Sequence, residues 1–155
     1  MLLVQKVGRQ TEQMKYFLAT LVAVVSLASA TVHGATNQFD GKWKVLLMAG
    51  EYKDGKGFVS KSFRMDFDAV VTNGNLFGQY GQKGGVGSFQ LSGMIDKNGD
   101  ALLHGTGVTG KTAYTSGNAM SGLPYTYDVK AHFSGNSGTG VRTPGAPYQF
   151  TFTKR

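Results

Sequence analysis

Tyr125-Thr126-Tyr127-Asp128-Val129-Lys130-Ala131-His132-Phe133 alternates without a break between apolar odd positions and polar or charged even ones. That is the pattern of a β-strand with one face in a core and the other in water. Phe63-Arg64-Met65-Asp66-Phe67-Asp68-Ala69 repeats it, and Tyr148-Gln149-Phe150-Thr151-Phe152-Thr153 brings the chain close to its end on it. After Phe39 no window sustains a helical period of 3.6 residues, and glycine recurs too often for helices to propagate. Weaker alternating segments at 43–48, 76–80, 88–95, 101–108 and 139–142 bring the count to about eight strands, the spacing of a sandwich or barrel. Gly78, Gly93, Gly105 and Gly140 fall inside these segments, where they suggest bulges or bends that let a sheet curl closed.

The connections differ in length, and the difference has an order. Asn73-Gly74, Asn98-Gly99 and Gly135-Asn136-Ser137-Gly138 are tight hairpin signals, because Asn and Gly accept the positive φ of primed turns. They come after the second, fourth and sixth strands. The segments 49–57, 82–87, 109–124 and 143–147 are longer and come after the odd-numbered strands. In an up-and-down meander one end is therefore pinched by turns and the other ringed by loops. The expected fold is all-β: a small antiparallel up-and-down barrel with Trp43, Val45, Phe63, Phe67, Phe89, Leu91, Ile95, Leu103, Tyr127, Val129, Phe133, Phe150 and Phe152 as its core. So many inward aromatics imply an interior filled by side chains.

The chain has 155 residues, 16 Lys+Arg against 9 Asp+Glu, 12% aromatic residues and no cysteine. Disulfides, thiol nucleophiles and zinc knuckles are thereby excluded. Residues 16–28 (YFLATLVAVVSLA) are an uncharged apolar run preceded by Lys15 and ending in Ala28-Ser29-Ala30, the small-x-small pattern read by signal peptidase. The run is too short for a membrane span, which needs about 20 apolar residues. Cleavage is expected after Ala30, since a cut after Ala35 would set His33 where a small residue is wanted. Met1 to Gln13 then form either an over-extended start or a long n-region ahead of Met14-Lys15. Residues 1–30 are read as a signal peptide and 31–155 as a single barrel domain of net charge +5, periplasmic or secreted.

Phe39-Asp40-Gly41-Lys42-Trp43 resembles the opening of calycin-like barrels, the group that includes lipocalins and avidins. A Gly-x-Trp at the first strand, its Trp closing the narrow end, is a lipocalin-like feature. FDGKWKV, GQYG, LSGMIDKNGDALLHGTG, YTYDVKAHFSGNSGTGVR and FTFTK together resemble small exported uncharacterised bacterial all-β proteins, over most of residues 39–154. The resemblance implies an exported all-β domain and carries no active site with it. The lack of cysteine and the short length depart from lipocalins and argue against a deep ligand cavity.

Several motifs are better read as local structure than as chemistry. Gly105-Thr106-Gly107-Val108-Thr109-Gly110-Lys111-Thr112 matches the phosphate-loop pattern, yet AYTSGNAMSGLP comes next, where a phosphate-cradling helix is required. Lys56-Gly57-Phe58 echoes an RNA-binding strand without its aromatics or its βαββαβ setting. Asp96-Lys97-Asn98-Gly99-Asp100 starts like a calcium loop but lacks the glycine and the carboxylate that would complete it, so a polar hairpin turn is expected. His132 shares a wet face with Asp128 and Lys130, and His104 has no recognisable partner in the sequence. No cofactor, metal, nucleotide, nucleic acid or stable membrane insertion is implied.

The functional expectation is an exported, non-enzymatic binding or interaction domain, with a small amphipathic or anionic ligand or an extracytoplasmic protein as partner. Alternatives are a periplasmic protease inhibitor of the small-barrel type, which also pairs a Gly-x-Trp opening with a signal peptide, and an enzyme of unknown type. Recognition is placed on the loop rim, at Tyr52, Lys53, Lys56, Lys83, Lys111, Tyr114 and Met120, with Leu123 beside them. The four lysines there outnumber Glu51 and Asp54 and invite an anionic or amphipathic partner.

Overall fold

A computed structural model describes residues 37–155. The segment read as a signal peptide lies outside the described residues. Ten strands form among them in chain order: β1 (Gly41–Ala49), β2 (Tyr52–Lys53), β3 (Val59–Ser60), β4 (Phe63–Thr72), β5 (Asn75–Tyr80), β6 (Phe89–Met94), β7 (Asp100–Val108), β8 (Pro124–Ser134), β9 (Ser137–Thr143) and β10 (Tyr148–Lys154). Eight of them close into an antiparallel barrel in which every strand pairs with its neighbour in sequence and β1 also pairs with β10. This is the up-and-down meander that the connection lengths imply. β2 and β3 form a separate small hairpin. Two-residue strands are too short to leave a periodicity in the sequence, and this pair was not expected.

Side-chain parity sets the inside. Trp43, Val45 and Leu47 of β1, Phe89 and Leu91 of β6, Val129 and Phe133 of β8, and Phe150 and Phe152 of β10 are buried, all at same-parity positions of their strands, as the pleat requires. Every residue of the expected core is buried except Phe63, which is half-buried near the loops. The interior is aromatic along its length. Phe133 lies edge-on to Trp43 at 5.3 Å and tilted to Phe152 at 4.7 Å, while Phe89 meets Phe67 edge-on at 5.8 Å. Edge and offset contacts of this kind add about 0.5–1.5 kcal/mol each beyond the area they bury.

The glycines inside the strands do not mark bulges. Pairing runs in constant register through Gly78, Gly105 and Gly140. Their contribution is room for rings. A Cβ on Gly105 would stand 2.8 Å from Phe89 Cε2 and 3.0 Å from Tyr127 Cε2, and one on Gly78 would stand 2.9 Å from Phe67 Cε2.

The turn end is stitched shut by the segment before β1. Trp43 Nε1 donates to the Phe39 carbonyl at 2.9 Å, and Asp40 Oδ1 accepts from the Gly74 amide at 2.9 Å. Asn37 Nδ2 donates to the Ile95 carbonyl, and Lys154 Nζ donates to that of Gln38. The FDGKW motif thus plugs the narrow end, and its Asp ties the plug to the Asn73-Gly74 turn. Asp96 makes the polar turn read from the sequence: Oδ1 accepts from the amides of Asn98 and Asp100 at 2.8 and 2.9 Å.

Candidate functional site

Closure leaves the four long connections at one end, and the barrel is not filled there. A cavity of about 550 Å³ opens between the strand ends and the loops. The filled interior that the inward aromatics favour therefore does not extend to the mouth. Aromatic packing fills the turn end and the middle, but at the mouth the inward positions are tyrosines and an arginine, whose polar ends cannot be packed away dry.

Its floor and one wall come from β8, β9 and β10. Tyr125 and Tyr127 succeed each other on the inward face of β8, and their rings stack at 5.8 Å and 6°. Phe89 extends the stack, 5.6 Å from Tyr127 at 17°. The glycines of β7 make this possible, since Gly105 pairs with Tyr127 and Gly107 with Tyr125. A Cβ on Gly107 would collide with the Ser88 carbonyl and stand 2.5 Å from the Tyr125 hydroxyl. Tyr148, at the start of β10, meets Tyr127 edge-on at 5.7 Å and Phe63 at 5.4 Å.

Arg142 is the charged member of this wall. Gly138, Gly140 and Arg142 share the inward parity of β9, so the strand that turns two glycines into the core turns an arginine into the mouth. Its Cζ lies 4.6 Å from the Tyr127 ring centre and 4.7 Å from that of Tyr148. Gly145 supports it from the next turn, where a Cβ would stand 3.2 Å from Nη2. None of the four ion pairs among the described residues involves Arg142, and its buried Nε has no hydrogen-bond partner. Burial, with the neighbouring Tyr148 a lesser cause, pushes the Tyr125 phenol up to about 12. Tyr127 is raised further, again chiefly by burial. Both therefore stand as neutral phenols at ordinary pH.

The connection from β7 to β8 forms the opposite wall. It is an organised strap carrying two single-turn 3-10 segments, Thr112–Tyr114 and Ser116–Asn118. Thr109 clips its base: Oγ1 donates to the Met120 carbonyl at 2.6 Å and accepts from the Leu123 amide at 2.8 Å. The Lys61 amide donates to the Ala113 carbonyl at 2.8 Å and pins the strap to the β3–β4 linker. The phosphate-loop letters thus lead into single 3-10 turns rather than the α-helix that phosphate binding would need. Ser116 lies in the strap and its buried Oγ has no partner. Among the described residues only Ser116 and Arg142 hold such buried, unpartnered side-chain atoms, and both line this one cavity.

Of the rim residues expected from the sequence, Lys111 and Tyr114 line the cavity. Tyr52 and Lys53 are in β2, Lys56 in the turn after it, Lys83 in the β5–β6 connection, and Met120 and Leu123 at the base of the strap. None of these six borders the cavity. The sequence reading did not point to Arg142, Tyr125, Tyr148 or Ser116, and it placed Tyr127 in the core, where its ring also forms part of the cavity wall. The signal was parity: a cation two residues beyond inward glycines must itself point inward.

The two histidines among the described residues, His104 and His132, lie on the outer face of the barrel. His104 Nδ1 is 3.0 Å from Asp128 Oδ1 and its Nε2 is 2.9 Å from Thr126 Oγ1, while His132 Nδ1 is 2.8 Å from Asp100 Oδ1. The reading of His104 as lacking a partner is corrected, because antiparallel pairing sets it opposite Asp128. Hydroxyl, imidazole and carboxylate stand here in the order of a nucleophile relay. They lie on a solvent-exposed wall, away from the loop-end cavity, and the strand amides around them are committed to the ladder. Oxyanion stabilisation needs free donors aimed at a reacting atom. No group of three or more metal-ligating side chains occurs among the described residues. Comparison with protein-family models, curated proteins and solved structures finds no match to the chain.

Proposed function

We propose that the protein is an extracytoplasmic, non-enzymatic binding domain that takes a small molecule into the loop-end mouth of its barrel. One observation carries the reading: both buried side-chain atoms that lack a partner among the described residues, Ser116 Oγ and Arg142 Nε, belong to residues lining one open, tyrosine-walled cavity. Buried polar groups are nearly always satisfied, and those that are not need a reason. A ligand supplying the missing partners is such a reason, and ligand sites of this form pair an apolar wall with a few placed polar groups.

The rest of the molecule is consistent with that role. The N-terminal segment reads as an export signal. Most of the barrel's aromatics face inward, Phe77 being an outward exception. The outer wall intersperses Arg64, Asp66, Asp68 and Lys130 with apolar residues such as Val70 and Leu102, whereas a barrel that spans a membrane carries an apolar band outside. No described helix is long and apolar enough to cross a membrane. The exposed hydroxyl, imidazole and carboxylate line lies away from the cavity, which supports a binding role over catalysis.

Native mass spectrometry of the protein purified from its own host tests the reading. The expected result is an added mass that is retained in gentle conditions and lost in a Tyr127→Ala, Tyr148→Ala variant that still folds. A protein that carries no adduct and takes up no flat aromatic probe at the loop end would refute it.

A further inference from the structure

Resting on that reading, we infer that the ligand is a flat aromatic carboxylate and that Arg142 is the residue that holds its carboxyl group. The charge of the cavity points this way. Its lining contains three cations, Arg64, Lys111 and Arg142, and no carboxylate. Arg64 is already paired with Asp66 at 2.8 Å, and Lys111 is exposed in the strap. Arg142 is the cation inside the mouth, and it has no acidic partner among the described residues.

A half-buried guanidinium without a counter-ion is costly to hold, because the charge has left water for little return. The barrel nevertheless fixes it firmly. Tyr127 and Tyr148 each place a ring within 5 Å of Cζ, and Gly145 removes the side chain that would crowd Nη2. Rings on a guanidinium offset part of the desolvation cost and leave its N–H edge for an acceptor. The acceptor that best matches that edge is a planar carboxylate, through two parallel charge-assisted hydrogen bonds.

The walls describe the rest of the ligand. Tyr125 and Tyr127 are neutral and stacked nearly parallel, so they offer ring faces and O–H groups but no negative charge. Phe63 and Met65 add apolar surface. Ring faces favour a flat aromatic body, and Ser116 Oγ, unpartnered in the strap, can donate to or accept from a polar substituent of the ligand.

The test compares 2-naphthoate with 2-naphthamide, which share a ring system and differ in charge, by isothermal titration calorimetry near neutral pH. Wild-type protein is expected to bind the naphthoate about tenfold or more tightly than the amide, as a bidentate ionic contact in place of a neutral one predicts. Arg142→Gln should cut naphthoate affinity about tenfold or more and naphthamide affinity by much less, so that the preference between the two probes is largely lost. Arg142→Lys keeps the charge but loses the planar fork and should fall between. If Arg142→Gln does not fold, the wild-type ratio and Arg142→Lys decide. Equal affinity for the two probes, or naphthoate binding indifferent to substitution at Arg142, overturns the assignment of the anion while leaving the cavity as the site. Failure of both probes to bind overturns the flat-aromatic assignment, and joined to the absence of an adduct in the native mass spectrum it overturns the binding reading as well.

Discussion

The guanidinium carbon of Arg142 stands 4.6 Å from the centre of the Tyr127 ring, and the two residues reach that position from adjacent strands by the same pleat that builds the core. β8 and β9 pair so that Val129 faces Arg142 and Ala131 faces Gly140. One residue pair separates a closed aromatic interior from a charged mouth. The site is thus continuous with the fold, and its rigidity comes from strands more than from loops.

Alkaline stability should report the burial of the tyrosines. Tyr125 is held up to about 12 and Tyr127 is raised further, from an ordinary value of 10.0. In the unfolded chain both phenols ionise near pH 10, so above that pH the folded state binds more protons than the unfolded one and stability falls as pH rises. The urea midpoint should hold steady below about pH 10 and drop progressively from there through about pH 12. Tyr127→Phe should lessen the drop. A midpoint that stays flat across this window would contradict the burial of both rings.

Trp43 is completely buried against Phe133 at the turn end. Trp43→Ala should destabilise the domain by about 3–5 kcal/mol, measured by urea denaturation. Folded wild-type protein should emit at a blue-shifted wavelength that moves to that of exposed Trp on unfolding. Probe binding at the loop end should not perturb this emission, since the indole lies at the other end of the barrel.

Gly105→Ala should cost about 1–3 kcal/mol, because its Cβ meets the rings of Phe89 and Tyr127 at 2.8 and 3.0 Å. The same displacement should weaken binding of 2-naphthamide, which needs no charge. A bulge or bend glycine would show the first effect without the second, so binding that survives would return Gly105 to a purely conformational role.

Asp40 is held below its ordinary carboxylate range, first by the hydrogen bond from the Gly74 amide and then by the amides of Asn73 and Asn37, with Lys154 contributing. A carboxylate depressed in the folded state adds stability that is present above its unfolded value of 3.8 and lost as pH falls through the folded one. Asp40→Ala should lower the denaturation midpoint near neutral pH and flatten the acid limb of the stability profile. Amide exchange at Gly74 should quicken in the same variant.

Strand order and most of the core were legible because a half-buried antiparallel strand writes its period directly into residues such as 125–133. The tight turns were legible too, as Asn73 and Gly74 take φ values of 50° and 77° that few other residues accept. The mouth was harder to read. Lys111 and Tyr114 stand out because they sit on a long connection, but Arg142 lies in a strand, where a polar residue is ordinarily assigned to the wet face, and Tyr148 shares the parity of Phe150 and Phe152, which reads as core. Only counting parity from Gly138 and Gly140 turns Arg142 inward. His104 and Asp128 were missed as partners because their pairing depends on the register of β7 against β8, which alternation on each strand separately does not specify.

The most direct test of the loop-end site is an amide chemical-shift map of the isotope-labelled domain during titration with 2-naphthoate and, separately, 2-naphthamide. The cavity reading predicts saturable shifts with at least one probe at Gly87, Val108, Gly110, Tyr127 and Arg142, which line the mouth, while Phe39, Trp43, Gly74 and Gly99 at the turn end stay still. Shifts concentrated at the turn end, or around His104 and Asp128 on the outer wall, would contradict it.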